Sequence, residues 1–96
     1  MVTKFSLGQT LASPGALQAI EESGQAPGDF IARHASGDWG DLSEEDKRLN
    51  EISLNVGSRI FSVYRTASGV ELWVITEGTD EQGNRTATTI VLPEEY

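Results

Sequence analysis

Residues 34–54, HASGDWGDLSEEDKRLNEISL, separate a first half of the sequence that favours helices from a second half that favours strands. The segment contains the only histidine, His34, the first of two tryptophans, Trp39, and the densest group of acidic residues in the chain. It therefore marks the change of structural type along the chain. It also contains the side chains that are candidates for catalysis or binding.

Length and composition predict one small domain, residues 1–96. A chain of this size buries roughly 60–65% of the surface that its unfolded form exposes, which suffices for independent folding. The absence of cysteine excludes disulfides, thiolate metal ligands and cysteine nucleophiles. No signal peptide and no apolar run of about 20 residues is visible, so we predict a cytoplasmic protein without a membrane segment.

The acidic balance of the chain bears on its partners. Fifteen acidic residues against seven basic ones give a formal net charge of −8. Affinity for nucleic acid depends largely on Lys and Arg that neutralise phosphates, so direct nucleic-acid binding is not expected. An acidic surface keeps a protein in solution and steers it toward basic partners. Solubility alone explains the acidic composition, and if the charge serves binding, we expect a partner protein with a basic surface.

Three short helices are predicted before residue 58. The sequences SPG (13–15) and APG (26–28) each combine a small residue with proline, as is typical of a helix start. Ser43 and the three acidic residues that follow it predict the start of a third helix, which Gly57 ends.

The third predicted helix carries an apolar stripe. Leu49, Ile52 and Val56 lie at positions i, i+3 and i+7, a spacing that places the three side chains on one face of a helix. We expect this stripe to be buried.

The second half of the chain predicts strands. Residues 59–66, 70–77 and 85–92 are rich in residues that favour strands, and turn sequences with glycine separate them. Lys4–Leu7 alternates polar and apolar residues, which suits a short strand or an extended segment. The predicted fold class is α+β, with three short, mainly N-terminal helices packed on a three- to four-stranded antiparallel β-meander.

His34 is the residue whose ordinary pKa lies near neutrality. With Asp38 and Asp41 close in sequence, it suits a general base or a metal ligand, and a small metal- or His-dependent hydrolase is therefore an alternative hypothesis. A histidine near a helix C-terminus is equally explained by the helix dipole. Neither the spacing of a calcium loop nor a phosphate-binding glycine motif is present. We assign no catalytic residue, metal or cofactor, and favour a non-enzymatic protein over an enzyme.

Trp39 lies among glycines and aspartates, where the local sequence gives a large aromatic side chain no obvious role. It either folds back as a lid over the core or forms an exposed anchor of the kind that dominates protein–protein interfaces. With the neighbouring acids it defines the predicted partner-binding residues, which are Asp38, Trp39, Asp41, Glu44 and Glu45.

Several segments resemble a family of small uncharacterised proteins encoded on bacterial plasmids and other mobile elements, in the neighbourhood of defence loci. The resemblance covers nearly the whole chain and is strongest in HASGDWGDL (34–42) and TTIVLPEEY (88–96). It implies a compact fold and a mobile-element setting, and it transfers no functional residue.

The functional hypothesis is a small acidic, non-enzymatic binding protein of mobile genetic elements, which acts by contact with an unidentified host protein. In its sharper form the protein inhibits a host defence nuclease of the restriction or CRISPR type, with carboxylates that imitate phosphates. We expect a monomer or a homodimer. Because the unpaired edges of a small sheet are able to pair between copies, a self-associating structural protein is a further alternative.

Overall fold

The computed structural model describes residues 3–96. In chain order its elements are β1 (Gln9–Ala12), α1 (Pro14–Glu22), α2 (Pro27–Ala35), α3 (Glu44–Val56), β2 (Ile60–Arg65), β3 (Glu71–Thr76), β4 (Ala87–Val91) and a final 3₁₀ turn (Pro93–Glu95). None of the helices in this range combines the length and the apolar composition that a bilayer crossing requires.

The four strands form one mixed sheet in the order β1-β4-β3-β2. Strands β2, β3 and β4 are antiparallel neighbours, whereas β1 runs parallel to β4. The predicted α+β class with three mainly N-terminal helices is confirmed, and the sheet differs from the prediction in being mixed. The segment between β1 and β4 contains three helices and a hairpin, which is long enough to bring the chain back in parallel. The first strand lies at Gln9–Ala12 and not at Lys4–Leu7.

Local hydrogen bonds explain where the helices begin. The Ser13 hydroxyl accepts from the Ala16 N–H at 3.1 Å, and the Ser43 hydroxyl accepts from the Asp46 N–H at 3.2 Å. Both bonds satisfy a backbone donor that has no partner within its helix, which confirms the two predicted helix starts. The left-handed Gly57 ends α3 as predicted.

Helices α1 and α2 cover one face of the sheet and enclose the main core, whose buried members are Ala16, Ile20, Phe30, Tyr64, Leu72, Val74 and Ile90. The opposite face carries a smaller aromatic group, in which Trp73 packs edge-on against Phe61 and Tyr96 with ring centroids 5.2 and 5.6 Å apart.

The predicted burial of the apolar stripe on α3 is wrong. Leu49, Ile52 and Val56 are 55%, 55% and 65% exposed, whereas Asn50 and Ser53 are the buried residues of the helix. The helix packs beside β2, which lies at an edge of the sheet. Because the backbone groups of an edge strand need polar partners, α3 turns a polar face toward the sheet and its apolar face outward.

Candidate protein-interaction surface

Trp39 lies in the loop between α2 and α3 and is buried, with 5% of its surface exposed. Its ring stacks on Phe5 and meets the edge of His34, with centroid distances of 6.1 and 5.9 Å. Its indole N–H donates to the Glu51 carboxylate on α3 at 2.8 Å. Of the two alternatives for Trp39, the structure supports the lid over the core and not the exposed anchor.

The backbone of the same loop pairs with the edge of β2. Val63 N–H donates to the Trp39 carbonyl at 3.3 Å, and Asp41 N–H donates to the Val63 carbonyl at 2.7 Å. Gly40 lies between them with a φ of +72°, and a Cβ atom there would lie 1.9 Å from the Val63 carbonyl oxygen. Only glycine allows this approach. These contacts hold the acidic loop at a fixed place on the surface.

The first two predicted carboxylates are exposed, and each has a basic neighbour. The Arg33 guanidinium lies 2.7 Å from Asp38, donates a hydrogen bond to it and lowers the pKa of that carboxyl. Asp41 lies 3.7 Å from Arg65. Surface ion pairs of this kind contribute at most about 1 kcal/mol, so a basic partner is able to replace the internal base.

The other two predicted carboxylates lie in the first turn of α3. Glu44 is 3.7 Å from Lys47, and Glu45 has no ion pair within residues 3–96. The structure therefore brings four of the five predicted residues to the surface along one continuous stretch of chain. The fifth, Trp39, is buried.

The exposed apolar stripe follows the acidic residues directly along α3. Beside the stripe, between α3 and β2, lies an open groove of about 290 Å³, lined by Leu42, Asp46, Leu49, Asn50, Ser53, Arg59 and Phe61. We call the acidic residues Asp38, Asp41, Glu44 and Glu45, together with the stripe Leu49, Ile52 and Val56, the α3 surface. An exposed apolar patch rimmed by charged groups is typical of a protein-interaction site.

Sequence reasoning missed the apolar half of the α3 surface because it predicted the stripe to be buried. Asn50 gave no usable signal, because the same helix contains Asn55, which lies next to Val56 and is exposed. The orientation of α3 is set by the backbone groups that Asn50 meets on β2, which the sequence of the helix does not reveal.

His34 lies in the core and not with the acids. Its Nδ1 is 2.6 Å from the Ser62 hydroxyl, and its Nε2 is 2.8 Å from the Thr76 hydroxyl. Thr76 contacts the Thr88 hydroxyl at 2.7 Å, and Thr88 donates to the Leu7 carbonyl at 2.7 Å. Because the Thr88 hydroxyl donates its only proton to the Leu7 carbonyl, the Thr76 hydroxyl must donate to the Thr88 oxygen. His34 Nε2 then donates to Thr76, and Nδ1 accepts from Ser62, which defines the neutral Nε2–H tautomer.

The environment of His34 keeps its imidazole neutral. Burial lowers the pKa of His34 to about 4, and the positive charge of Arg85 acts in the same direction. The ring has no exposed surface and does not line the groove beside α3. Across residues 3–96, no three His, Asp or Glu side chains come together to hold a metal ion. This geometry gives the hydrolase hypothesis no support.

Comparisons of the chain with protein-family models, with curated proteins and with solved structures find no match.

Proposed function

We propose that this protein acts by docking its α3 surface onto another protein, whose matching face combines basic and apolar residues. The observation that supports the proposal is the exposure of Leu49, Ile52 and Val56 on one helix face. Covering apolar surface stabilises a complex by about 25 cal/mol per Å². In the free protein the stripe is exposed to solvent, so this stabilisation is gained only when a partner covers it. A regular helix holds the three side chains in a fixed arrangement for binding.

The acidic half of the α3 surface would act at longer range. Four exposed carboxylates in the loop before α3 and in its first turn, on a chain with a net charge of −8, favour approach to a basic surface. The ion pairs of Asp38 and Asp41 with internal arginines would exchange for bonds to the partner. Binding should therefore weaken as salt concentration rises.

The resemblance to proteins of bacterial mobile elements suggests a host protein as the partner. A defence nuclease of the restriction or CRISPR type has the required basic channel, because it binds nucleic-acid phosphates. In this sharper form of the proposal, the carboxylates of the α3 surface occupy positions that phosphates would take, and the apolar stripe holds the protein in place.

Affinity capture from a bacterial lysate tests the docking proposal. The wild-type chain and an Ile52→Ser/Val56→Ser variant serve as baits, with Leu17→Ser on α1 as the matched control, since Leu17 is also an exposed apolar residue. We expect one basic protein on the wild-type and control baits, released by salt and absent from the double variant. Equal recovery of that protein on all three baits would contradict docking through the α3 surface.

A second measurement tests the nuclease form separately. The captured partner, once purified, is assayed for cleavage of DNA and RNA with and without the protein. We expect inhibition by the wild type and a loss of inhibition when Asp41 and Glu45 are both changed to lysine. If the partner has no nuclease activity, the inhibition of a defence nuclease is excluded, whereas the docking proposal still stands.

A further inference from the structure

The outer edge of β1 presents backbone groups that no other part of residues 3–96 uses. Gln9 and Ser13 donate their N–H groups to carbonyls of the β4 segment, at 3.0 and 2.9 Å. Because the backbone groups of successive residues in a strand point to opposite sides, those of Thr10 and Ala12 face away from β4. They have no hydrogen-bond partner in the described part of the chain.

The two edges of the sheet differ in whether other parts of the chain cover them. The loop at Gly40 and the side chain of Asn50 cover the edge of β2. At β1 there is no covering segment, no charged residue and no proline, which are the devices that proteins use to prevent edge pairing. The groove of about 190 Å³ beside β1 is also lined entirely by uncharged residues, namely Thr10, Leu11, Ala12, Pro27, Gly28, Ile31 and Ile90.

We propose that the β1 edge pairs with the same edge of a second copy of this chain, antiparallel about a twofold axis at Leu11. In this register Thr10 lies opposite Ala12 of the second copy, and the converse pair follows by symmetry. Each pair exchanges two backbone hydrogen bonds. Leu11, which is 44% exposed, faces the second copy's Leu11 in the closely spaced pair without hydrogen bonds. The two sheets then form one continuous sheet.

Charge favours a second copy over a basic foreign partner at this edge. The carboxylates that would attract a basic protein belong to the α3 surface beside β2, which is the opposite edge of the sheet. Two chains with a net charge of −8 repel each other. The strand β1 and the groove beside it contain no charged residue, and the nearby carboxylates Asp29 and Glu95 lie outside the paired residues Thr10–Ala12. Because salt screens the remaining repulsion, pairing should strengthen as salt rises, opposite to the response expected of the α3 surface.

Sedimentation velocity on the full chain tests the pairing. A short-strand contact below roughly 1,200 Å² is weak, so the series extends to about 1 mM protein at low and high salt. We expect the molar mass to rise with protein concentration to twice that of the chain. In high salt this rise should occur at a lower protein concentration than in low salt. Leu11→Glu should raise the midpoint concentration about tenfold or more, because like charges would then face each other. Val70→Glu, an exposed apolar residue in the hairpin between β2 and β3, should leave it unchanged.

A monomer at every concentration and salt would overturn the proposal, as would a dimer that Leu11→Glu does not weaken. A chain that stays monomeric yet binds an added extended peptide along β1 would also overturn it, and would assign the edge to a foreign strand.

Disulfide trapping tests the register, because the chain has no cysteine of its own. The proposed axis places the Cα atoms of the two Leu11 residues about 4.5 Å apart, within the range of a disulfide. The two Gln9 residues would lie about four strand residues apart, roughly 13 Å. Under mild oxidation we expect Leu11→Cys to form a covalent dimer at least tenfold more readily than Gln9→Cys. Equal trapping of the two variants would overturn the register and the proposal with it.

Discussion

Asn50 holds both backbone groups of Phe61. Its amide nitrogen donates to the Phe61 carbonyl at 2.6 Å, and its amide oxygen accepts from the Phe61 N–H at 3.1 Å. One side chain on α3 thus offers β2 the donor and acceptor that a further strand would offer. This pairing explains why the helix lies beside the sheet edge and why its apolar stripe points outward.

Replacing Asn50 by alanine should destabilise the protein by about 1–3 kcal/mol, because it leaves a partly buried N–H and C=O of Phe61 without partners. The free energy of unfolding is measured by urea titration with tryptophan fluorescence. Asn55→Ala is the matched control, since Asn55 is an exposed asparagine on the same helix, and its effect should stay within about 0.5 kcal/mol. Equal losses in the two variants would show that the amide pairing has no special role.

The exposed position of Ile52 predicts a small effect of truncation on stability. Ile52→Ala should change the free energy of unfolding by less than about 0.5 kcal/mol, whereas Ile20→Ala should cost about 2–5 kcal/mol, because Ile20 is fully buried in the core. Thermal or urea unfolding of the two variants makes the comparison. A large loss in Ile52→Ala would mean that the stripe is buried after all.

Gly40 and Gly24 form a matched pair for backbone strain. Both have positive φ, +72° and +75°, but a Cβ atom at Gly40 would clash with the Val63 carbonyl, and one at Gly24 would meet nothing within 4 Å. Gly24→Ala should therefore cost about 1 kcal/mol from conformation alone. Gly40→Ala should cost more than twice as much, because it also breaks the pairing of the loop with β2. Similar melting temperatures for both variants would contradict the observed approach of Gly40 to Val63.

His34 should make the stability of the protein depend on pH. The pKa of His34 is lowered to about 4 in the folded chain, against 6.5 for an unperturbed histidine. The unfolded chain therefore takes up the proton first, and stability is lost as pH falls from about 6.5 toward 4, by a total on the order of 3–4 kcal/mol. Above pH 6.5 this contribution is constant.

Urea unfolding at several pH values checks the pH dependence of His34. His34→Gln serves as the reference, since its amide is able to accept and donate but does not take up a proton near neutrality. Asp38, whose pKa is also lowered, causes a loss of stability at lower pH in both proteins and cancels in the difference. If the curves of wild type and His34→Gln run parallel between pH 4 and 6.5, His34 is not held neutral by burial.

Features set by neighbouring residues could be predicted from the sequence. Each helix start, at Ser13 and at Ser43, depends on a serine hydroxyl that accepts a hydrogen bond from the backbone N–H three residues later. Both hydrogen bonds are present. The strands β2, β3 and β4 follow from residue type and turn sequences in the same way. The surface position of the carboxylates from Asp38 to Glu45 is likewise a local matter, since charged groups stay in water unless they find a partner.

Features set by distant parts of the chain could not be predicted. The parallel pairing of β1 depends on where the chain returns after three helices. The orientation of α3 depends on the unpaired edge of β2, which no periodicity within the helix reveals. For Trp39, the sequence left open both burial and exposure. The choice is made by Phe5 and by Glu51, which lie on separate segments of the chain.

The order β1-β4-β3-β2 places a late-synthesised strand in the interior of the sheet. Strand β4 joins β1 to the rest of the sheet, and the Thr88 hydroxyl reaches the Leu7 carbonyl across 81 positions of sequence. During translation, β1 therefore has no sheet neighbour until β4 has emerged from the ribosome. A nascent chain stalled before residue 87 would hold the β2–β3 hairpin but not a smaller version of the native sheet, because within residues 3–96 β1 has no sheet neighbour other than β4.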